Sequence, residues 1–141
     1  MSKFLYKYNQ KVQPGDIDQL NHVNNVVYVQ WIQDAAVKHW NSAISAEIRE
    51  KYVWVILRHE IDYKNPAKLG DLLTIETKVL EAKGITSVRS VKIYREKDQK
   101  LLVQSITKWC MLHADTLRPA RITEGIKNIF LAGSSHDNPS N

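Results

Sequence analysis

The sequence predicts an α+β domain in which one long helix packs against a strongly curved antiparallel sheet of about five strands. Two observations support this prediction. The apolar residues of one early segment recur with the period of a helix, and those of four later segments alternate with the period of a strand. Because only one long helix is available, it must cover the apolar face of the sheet.

The predicted helix runs from about Val27 and has a broad apolar stripe. The spacing of the stripe is i, i+3, i+4, i+7 and i+8, which is typical of a helix that faces a core. Its members are Tyr28, Trp31, Ile32, Ala35, Ala36, His39 and Trp40. Asn24 or Asn25 is a natural N-cap, because its side-chain oxygen can accept a hydrogen bond from a free N–H group of the first turn.

Five strands are predicted from alternating residues and the turn residues that separate them. They span residues 3–12, 52–64, 72–82, 85–96 and 100–114, and residues 97–99 form a tight hairpin between the last two. A short helix is expected over residues 124–133. We expect one domain over residues 1–132, with residues 133–141 as a disordered tail because they are polar and lack core residues.

Composition excludes several classes of function. The net charge of +5 favours anionic partners, but no run of five basic residues exists, and a nucleic-acid-binding face usually clusters them. Nothing at the N terminus resembles a signal peptide, and no stretch approaches the roughly 20 apolar residues of a membrane span. We therefore expect a soluble, cytoplasmic protein that binds no nucleic acid and has no membrane span.

Metal and cofactor chemistry are not expected. The five histidines lack zinc-like spacing, and the chain has no glycine-rich phosphate loop and no Gly-x-Ser-x-Gly elbow. The single cysteine, Cys110, lies in an apolar run and is expected to be a small buried residue rather than a nucleophile.

A polar loop over residues 16–25 leads directly into the predicted helix. Asp18 supplies a carboxylate, which can act as a general base or a nucleophile. The backbone N–H groups of Asn24, Asn25 and Val26 at the helix start can stabilise an oxyanion. The loop is therefore a candidate active site.

The same residues also have a structural interpretation. Asp16 follows Pro14-Gly15 and suits a turn, and Asp18 can form an Asx-turn. His22 can brace the loop through hydrogen bonds, and the two asparagines can cap the helix.

Residues 16–28 carry the motif Asp-x-Asp-x-x-x-His-Val-Asn-Asn-x-x-Tyr. This motif resembles that of the hotdog-fold thioesterases, the superfamily of 4-hydroxybenzoyl-CoA and acyl-ACP thioesterases. Residues 60–77 look like the family's turn between the second and third strands, and residues 106–122 look like its last strand and exit. The resemblance covers roughly residues 5–122.

The resemblance implies a hotdog fold in which the sheets of two subunits run together and each active site lies between subunits. A homodimer or homotetramer is therefore expected. It implies Asp18 as the catalytic carboxylate and His22 as the histidine of the motif. The acyl-ACP branch also uses an Asn at the position of Leu20, which is a departure here, and a Glu on the strand after the helix, for which Glu60 has about the right separation.

The activity implied by the resemblance is an acyl-CoA thioesterase that hydrolyses an acyl or aroyl thioester to the free acid and CoA. The alternatives are an acyl-ACP thioesterase and a non-catalytic hotdog protein that binds acyl-CoA. Tyr28 and Trp31 are candidate substrate-binding residues, although their helical spacing equally predicts core positions. Cations that could contact the carrier phosphates are Arg58, Lys64, Lys68, Arg89, Lys92 and Arg121.

Overall fold

The computed structural model describes residues 4–136, with the backbone alone for residues 132–136, and it shows the predicted α+β architecture. The strands are β1 (Leu5–Lys11), β2 (Tyr52–Tyr63), β3 (Leu72–Lys83), β4 (Thr86–Arg95) and β5 (Lys100–His113). The helices are α1 (Asn25–Ala43), α2 (Ala46–Arg49) and α3 (Glu124–His136), and a short 3₁₀ turn spans Pro14–Asp16.

The five strands form one curved sheet in the order β1-β3-β4-β5-β2. All four neighbouring pairs are antiparallel, as predicted for the sheet. The strand that precedes α1 and the strand that follows it therefore lie at opposite edges of the sheet. The helix crosses the sheet between these edges and covers its concave face.

Helix α1 begins one residue after Asn24, which is the N-cap. The side chain of Asn24 accepts a hydrogen bond from the N–H of Val26 at 2.9 Å, as predicted for one of the two asparagines. The predicted apolar stripe is confirmed, since six of its members are buried and Trp40 is half-buried. The stripe therefore holds α1 against the sheet by apolar burial.

The core beneath α1 is divided by a band of polar side chains. One apolar cluster lies under the first half of α1 and includes Ile32, and the other lies under its second half and α3 and includes Phe130. The residues between the clusters, here called the polar belt, are His39, His59, Thr77, Arg89 and Thr107. The belt residues of the sheet lie on β2, β3, β4 and β5, so the belt crosses four of the five strands.

Three local features differ from the predictions. Helix α2 lies within residues 41–51, which were expected to be a polar link, and Ser45 caps it by accepting from the N–H of Ile48. Helix α3 continues to His136, so the first residues of the expected tail from 133 are helical. Residues 137–141 lie outside the described residues. The third feature, a bulge in β2 near Leu57, affects the site and is described below.

Cys110 is buried and free, as expected for a small core residue. No helix among residues 4–136 is long and apolar enough to cross a membrane.

Candidate active site

The polar loop folds back on itself through Asp18. Its carboxylate oxygen Oδ1 accepts hydrogen bonds from the N–H groups of Leu20 at 2.9 Å and His22 at 3.3 Å. The backbone N–H of Asp18 donates to the carbonyl of His22 at 2.8 Å, and Asn21 adopts a positive φ of 62° that lets the turn close. The Asx-turn interpretation is thus confirmed. The turn uses Oδ1 of Asp18, and no donor among the described residues contacts Oδ2.

The turn between β2 and β3 anchors this loop. The N–H of Val23 donates to the carbonyl of Ala67 at 2.9 Å, and His22 forms a β-bridge with Lys68. The hydroxyl of Tyr28, which is buried in α1, accepts from the N–H of Ala67 at 3.1 Å. The loop is therefore fixed from both sides, by the helix that follows it and by a distant turn.

The start of α1 offers fewer free N–H groups than expected. The N–H of Asn24 donates to the carbonyl of Asp16, and the N–H of Val26 donates to the Asn24 side chain, both at 2.9 Å. These two amides were predicted as oxyanion donors, and the loop and the cap already occupy them. Among the three predicted amides, only that of Asn25 has no acceptor in the described part of the chain.

Asp18 and Asn25 line the same open cavity at the head of α1, which has a volume of about 450 Å³. Its other lining residues are Leu20, His22, Val23, Asn24, Tyr28, Tyr63, Lys64, Asn65 and Pro66. A carboxylate in this cavity can activate water or attack a carbonyl carbon. The unused N–H group at the helix start can donate one hydrogen bond to the oxyanion that forms.

His22 lines this cavity, and it also braces the loop through its backbone. Asp16 has the turn role expected for it, because its Oδ2 accepts from the N–H of Gln13 at 2.8 Å. Trp31 packs edge-on against Tyr28, with ring centroids 5.6 Å apart, and is buried in the first apolar cluster. Trp31 lines neither this cavity nor the one described below.

Glu60 is not brought to the cavity within this chain, which corrects the prediction for that residue. Its carboxylate forms an exposed ion pair with Arg58 at 2.6 Å. The cause is the bulge in β2, where Ile56 lies opposite Trp109 and Arg58 lies opposite Lys108, so Leu57 is an extra residue. After the bulge the alternation is reversed, and His59 and Ile61 face the core instead of Glu60.

A second cavity of about 250 Å³ lies beneath the second half of α1 and α3. Its walls are mostly apolar and aromatic. The lining residues are Ala36, Val37, Trp40, Tyr52, Val53, Trp54, Val79, Ala82, Ser87, Arg89, Trp109, Ile122, Ile126, Lys127 and Phe130. Arg89, expected among the cations for carrier phosphates, is buried inside this cavity rather than at a cleft mouth.

The model of the thioesterase-like superfamily matches residues 12–130 of the chain. The chain belongs to the thioesterase-like superfamily. Within the described residues of this thioesterase-like chain, no group of His, Cys, Asp and Glu could hold a metal ion.

Similar proteins include acyl-CoA thioesterases. The chain is 23% identical over 111 residues to the long-chain acyl-CoA thioesterase FadM of Escherichia coli K12, covering 75% of this chain and 82% of FadM. Among solved structures, SAV2348 of Staphylococcus aureus in complex with CoA has a TM-score of 0.82 and 20% identity, covering 100% of this chain and 90% of that one. Slr0204 of Synechocystis, a 1,4-dihydroxy-2-naphthoyl-CoA thioesterase, has a TM-score of 0.78 and 17% identity, covering 96% and 99%. These structures confirm the hotdog fold.

The thioesterase-like motif did not reveal the buried contacts of Arg89. Its Nη1 lies 2.9 Å from Nδ1 of His39 and 3.0 Å from Oγ1 of Thr77. The signal was present in the sequence, since Arg89 is in phase with the core residues Val91 and Ile93 along β4.

Proposed function

We propose that this chain is an acyl-CoA thioesterase that hydrolyses an acyl or aroyl thioester to the free acid and CoA. The observation that carries the proposal is the shared cavity of Asp18 and Asn25 at the head of α1. The thioester carbonyl accepts a hydrogen bond from the N–H of Asn25, and the carboxylate of Asp18 lies on the same cavity wall.

Two routes fit this arrangement. Asp18 takes a proton from a water molecule that adds to the carbonyl carbon, or it attacks that carbon itself and water then hydrolyses the anhydride. In both routes the C–S bond breaks and CoA leaves as the thiolate. Asp18 returns its proton to the thiolate in the general-base route, and solvent protonates the thiolate in the nucleophilic route. Asp18 is exposed, which gives water the access that both routes need.

CoA is the favoured carrier because the curated relative FadM is named for acyl-CoA and because the similar structure of SAV2348 contains CoA. Acyl carrier protein is the alternative carrier, and the same assay with an acyl-ACP decides between them.

We also propose that the chain forms a homodimer through β2. This strand lies at an edge of the sheet, and its outward residues Val53, Val55 and Leu57 are exposed apolar side chains. An unpaired apolar edge is suited to pairing with a second copy, and a two-fold axis makes such pairing antiparallel. A tetramer would be built from two of these dimers, and sedimentation measurements distinguish the two assemblies.

The test of the activity is Asp18→Asn, measured by release of free thiol from acyl-CoAs of different lengths and from an aroyl-CoA. Asparagine keeps the oxygen that accepts from Leu20 and His22, so the loop should keep its conformation. We expect a loss of kcat of roughly 10²-fold or more, because the charged base or nucleophile is removed.

Asp16→Asn is the matched control, because it neutralises a neighbouring carboxylate that serves only the turn. It should keep nearly full activity. Full activity in Asp18→Asn would refute the role of Asp18, and binding of acyl-CoA without turnover by the wild type would favour the non-catalytic alternative.

A further inference from the structure

Arg89 is a buried cation without a carboxylate partner in the described part of the chain. Its exposed fraction is 6%. Its Nη1 contacts two groups that carry no negative charge, the imidazole of His39 and the hydroxyl of Thr77. Its guanidinium lies 6.0 Å from the ring centre of Phe130. Burying an arginine is costly unless an acceptor compensates for its charge. The charge therefore points to an acceptor that the chain itself does not supply.

The cavity that Arg89 lines offers donors and few acceptors. Trp109 lies across β4 and β5 opposite Ser87 and also lines the cavity. Its indole Nε1 is buried, and no acceptor contacts it in the described part of the chain. Lys127 adds a second cation to the lining, while Trp40, Trp54 and other apolar side chains form the walls. A fitting ligand has an apolar body and an anionic oxygen.

Burial lowers the pKa of Arg89 to about 10, so the guanidinium is still charged at neutral pH. A buried guanidinium binds a carboxylate through paired, charge-assisted hydrogen bonds, because its planar fork matches the two oxygens.

We propose that this cavity binds the far end of an acyl or aroyl group that carries a carboxylate, and that Arg89 holds this carboxylate. The proposal rests on the proposed thioesterase function and names the substrate class of that site. The volume of about 250 Å³ corresponds to roughly eight water molecules at 30 Å³ each. The body of the ligand is therefore a short aliphatic chain or a single ring.

The phosphates of CoA are a poorer match for Arg89. A diphosphate carries more than one negative charge and is strongly hydrated. In this cavity it would lose its water among aromatic rings, and Arg89 alone would face it as a deeply buried cation. A carboxylate at the end of an apolar chain places only two oxygens at Arg89 and buries the rest of the chain against apolar walls.

The proposed dimer brings this cavity to the thioester. Trp54 at the start of β2 lines the Arg89 cavity, and Tyr63 at its end lines the Asp18 cavity. These residues are about 30 Å apart along one strand, which is too far for one short acyl group. Antiparallel pairing of two β2 strands sets the start of one beside the end of the other. The Arg89 cavity of one subunit then lies beside the Asp18 cavity of the other subunit.

The test compares thioesters matched in length that differ only in the distal group. The pairs are adipoyl-CoA with hexanoyl-CoA and 4-carboxybenzoyl-CoA with 4-methylbenzoyl-CoA. We expect kcat/KM to be roughly 10- to 100-fold higher for the carboxylated member of at least one pair. Arg89→Met should abolish this preference, and Arg89→Lys should keep part of it because it retains the charge. Lys108→Met is the control, since it removes one exposed charge from the opposite face of the sheet.

Binding gives a readout that does not depend on turnover. Three tryptophans line the cavity, so monomethyl adipate should change the tryptophan fluorescence of the wild type, whereas neutral methyl hexanoate should bind at least tenfold more weakly. Circular dichroism shows whether Arg89→Met is folded. If it is not, Arg89→Lys replaces it in the binding measurement and should bind monomethyl adipate more weakly than the wild type does.

The outcomes separate the two proposals. Asp18-dependent hydrolysis without any preference for carboxylated thioesters, together with no Arg89-dependent binding, overturns the carboxylate inference and leaves the thioesterase function intact. Arg89-dependent binding of monomethyl adipate by a protein that hydrolyses no CoA thioester supports the cavity and overturns the activity.

Discussion

At the scale of single residues, the two carboxylate oxygens of Asp18 differ in their contacts. Oδ1 closes the loop by accepting from two backbone N–H groups, and no donor among the described residues contacts Oδ2. The sequence predicted an Asx-turn at Asp18 and an asparagine N-cap at residue 24 or 25, and both are observed. It did not predict which amide is free, because that depends on the carbonyl of Asp16 and on the side-chain rotamer of Asn24.

The amide of Asn25 can be removed with little disturbance to the helix. Asn25 is the first residue of α1, where proline is well tolerated, and Asn24 already has the extended conformation (φ −64°, ψ 137°) that a following proline requires. We expect Asn25→Pro to fold and to lose roughly 10²- to 10³-fold in kcat, because the oxyanion loses its N–H donor. Asn25→Ala keeps the N–H and should keep the activity. Equal rates for these two variants would remove this amide from the mechanism.

His59 makes stability depend on pH. Burial lowers its pKa below the ordinary value of 6.5, so folding favours the neutral ring, whose Nδ1 lies 2.9 Å from Oγ1 of Thr107. Its contribution is present above the unfolded pKa and is lost as pH falls from about 6.5 through the lower folded pKa. Urea unfolding should show a larger fall in free energy between pH 7.5 and 5 for the wild type than for His59→Gln. Parallel curves would contradict this.

At the scale of elements, the bulge at Leu57 decides which side chains of β2 face the core. The strand was predicted over residues 52–64 and is observed as Tyr52–Tyr63. The bulge was not predicted, because an extra residue on one strand shows only in its register against β5. Glu60 was expected at the site from the resemblance and from its separation along the chain, and one extra residue in the strand turned it outward.

Deleting Leu57 should remove the bulge and keep the facing of residues 58–63, because Ile56 and Arg58 already lie opposite the adjacent residues Trp109 and Lys108. The lost side chain is 56% exposed, so we expect the free energy of unfolding to change by about 1 kcal/mol or less. One alanine inserted after Arg58 should instead turn residues 59–63 over, so that Ile61 faces solvent and Glu60 is buried. We expect this insertion to cost roughly 4 kcal/mol or more, since an unpaired charge replaces apolar packing. Similar urea midpoints for the two variants would argue against this role of the register.

At the scale of the whole molecule, the polar belt divides the apolar core into two clusters. Residues of the first cluster line the Asp18 cavity, and residues of the second line the cavity that contains Arg89. The number of strands, their approximate bounds and the place of α1 between β1 and β2 could be predicted, since they follow from local periodicity. The order of the strands was not predicted, because β2 pairs with β5 and not with the next strand along the chain. The belt could not be predicted, because the contact between Arg89 and His39 joins residues 50 positions apart that come together only in the folded chain.

A subunit-mixing experiment tests the arrangement of the dimer. Asp18→Asn should be nearly inactive on adipoyl-CoA, and Arg89→Met should fall to the lower rate expected for hexanoyl-CoA. If each site combines Asp18 of one subunit with Arg89 of the other, a mixed dimer regains one intact site. Subunit exchange in an equal mixture should then restore about a quarter of the wild-type sites. Native mass spectrometry confirms that mixed dimers form, and a mixture no more active than the average of its components would show that each site lies within one chain.

The two edges of the sheet differ in a way that limits further growth. If β2 pairs with a second copy, only β1 remains as a free edge at each end of the joined sheet. Strand β1 has seven residues and exposes Lys7 and Lys11, and charged, short edge strands resist the addition of another strand. If the proposed dimer forms, we therefore expect the joined sheet to end at two copies and not to extend into a fibre.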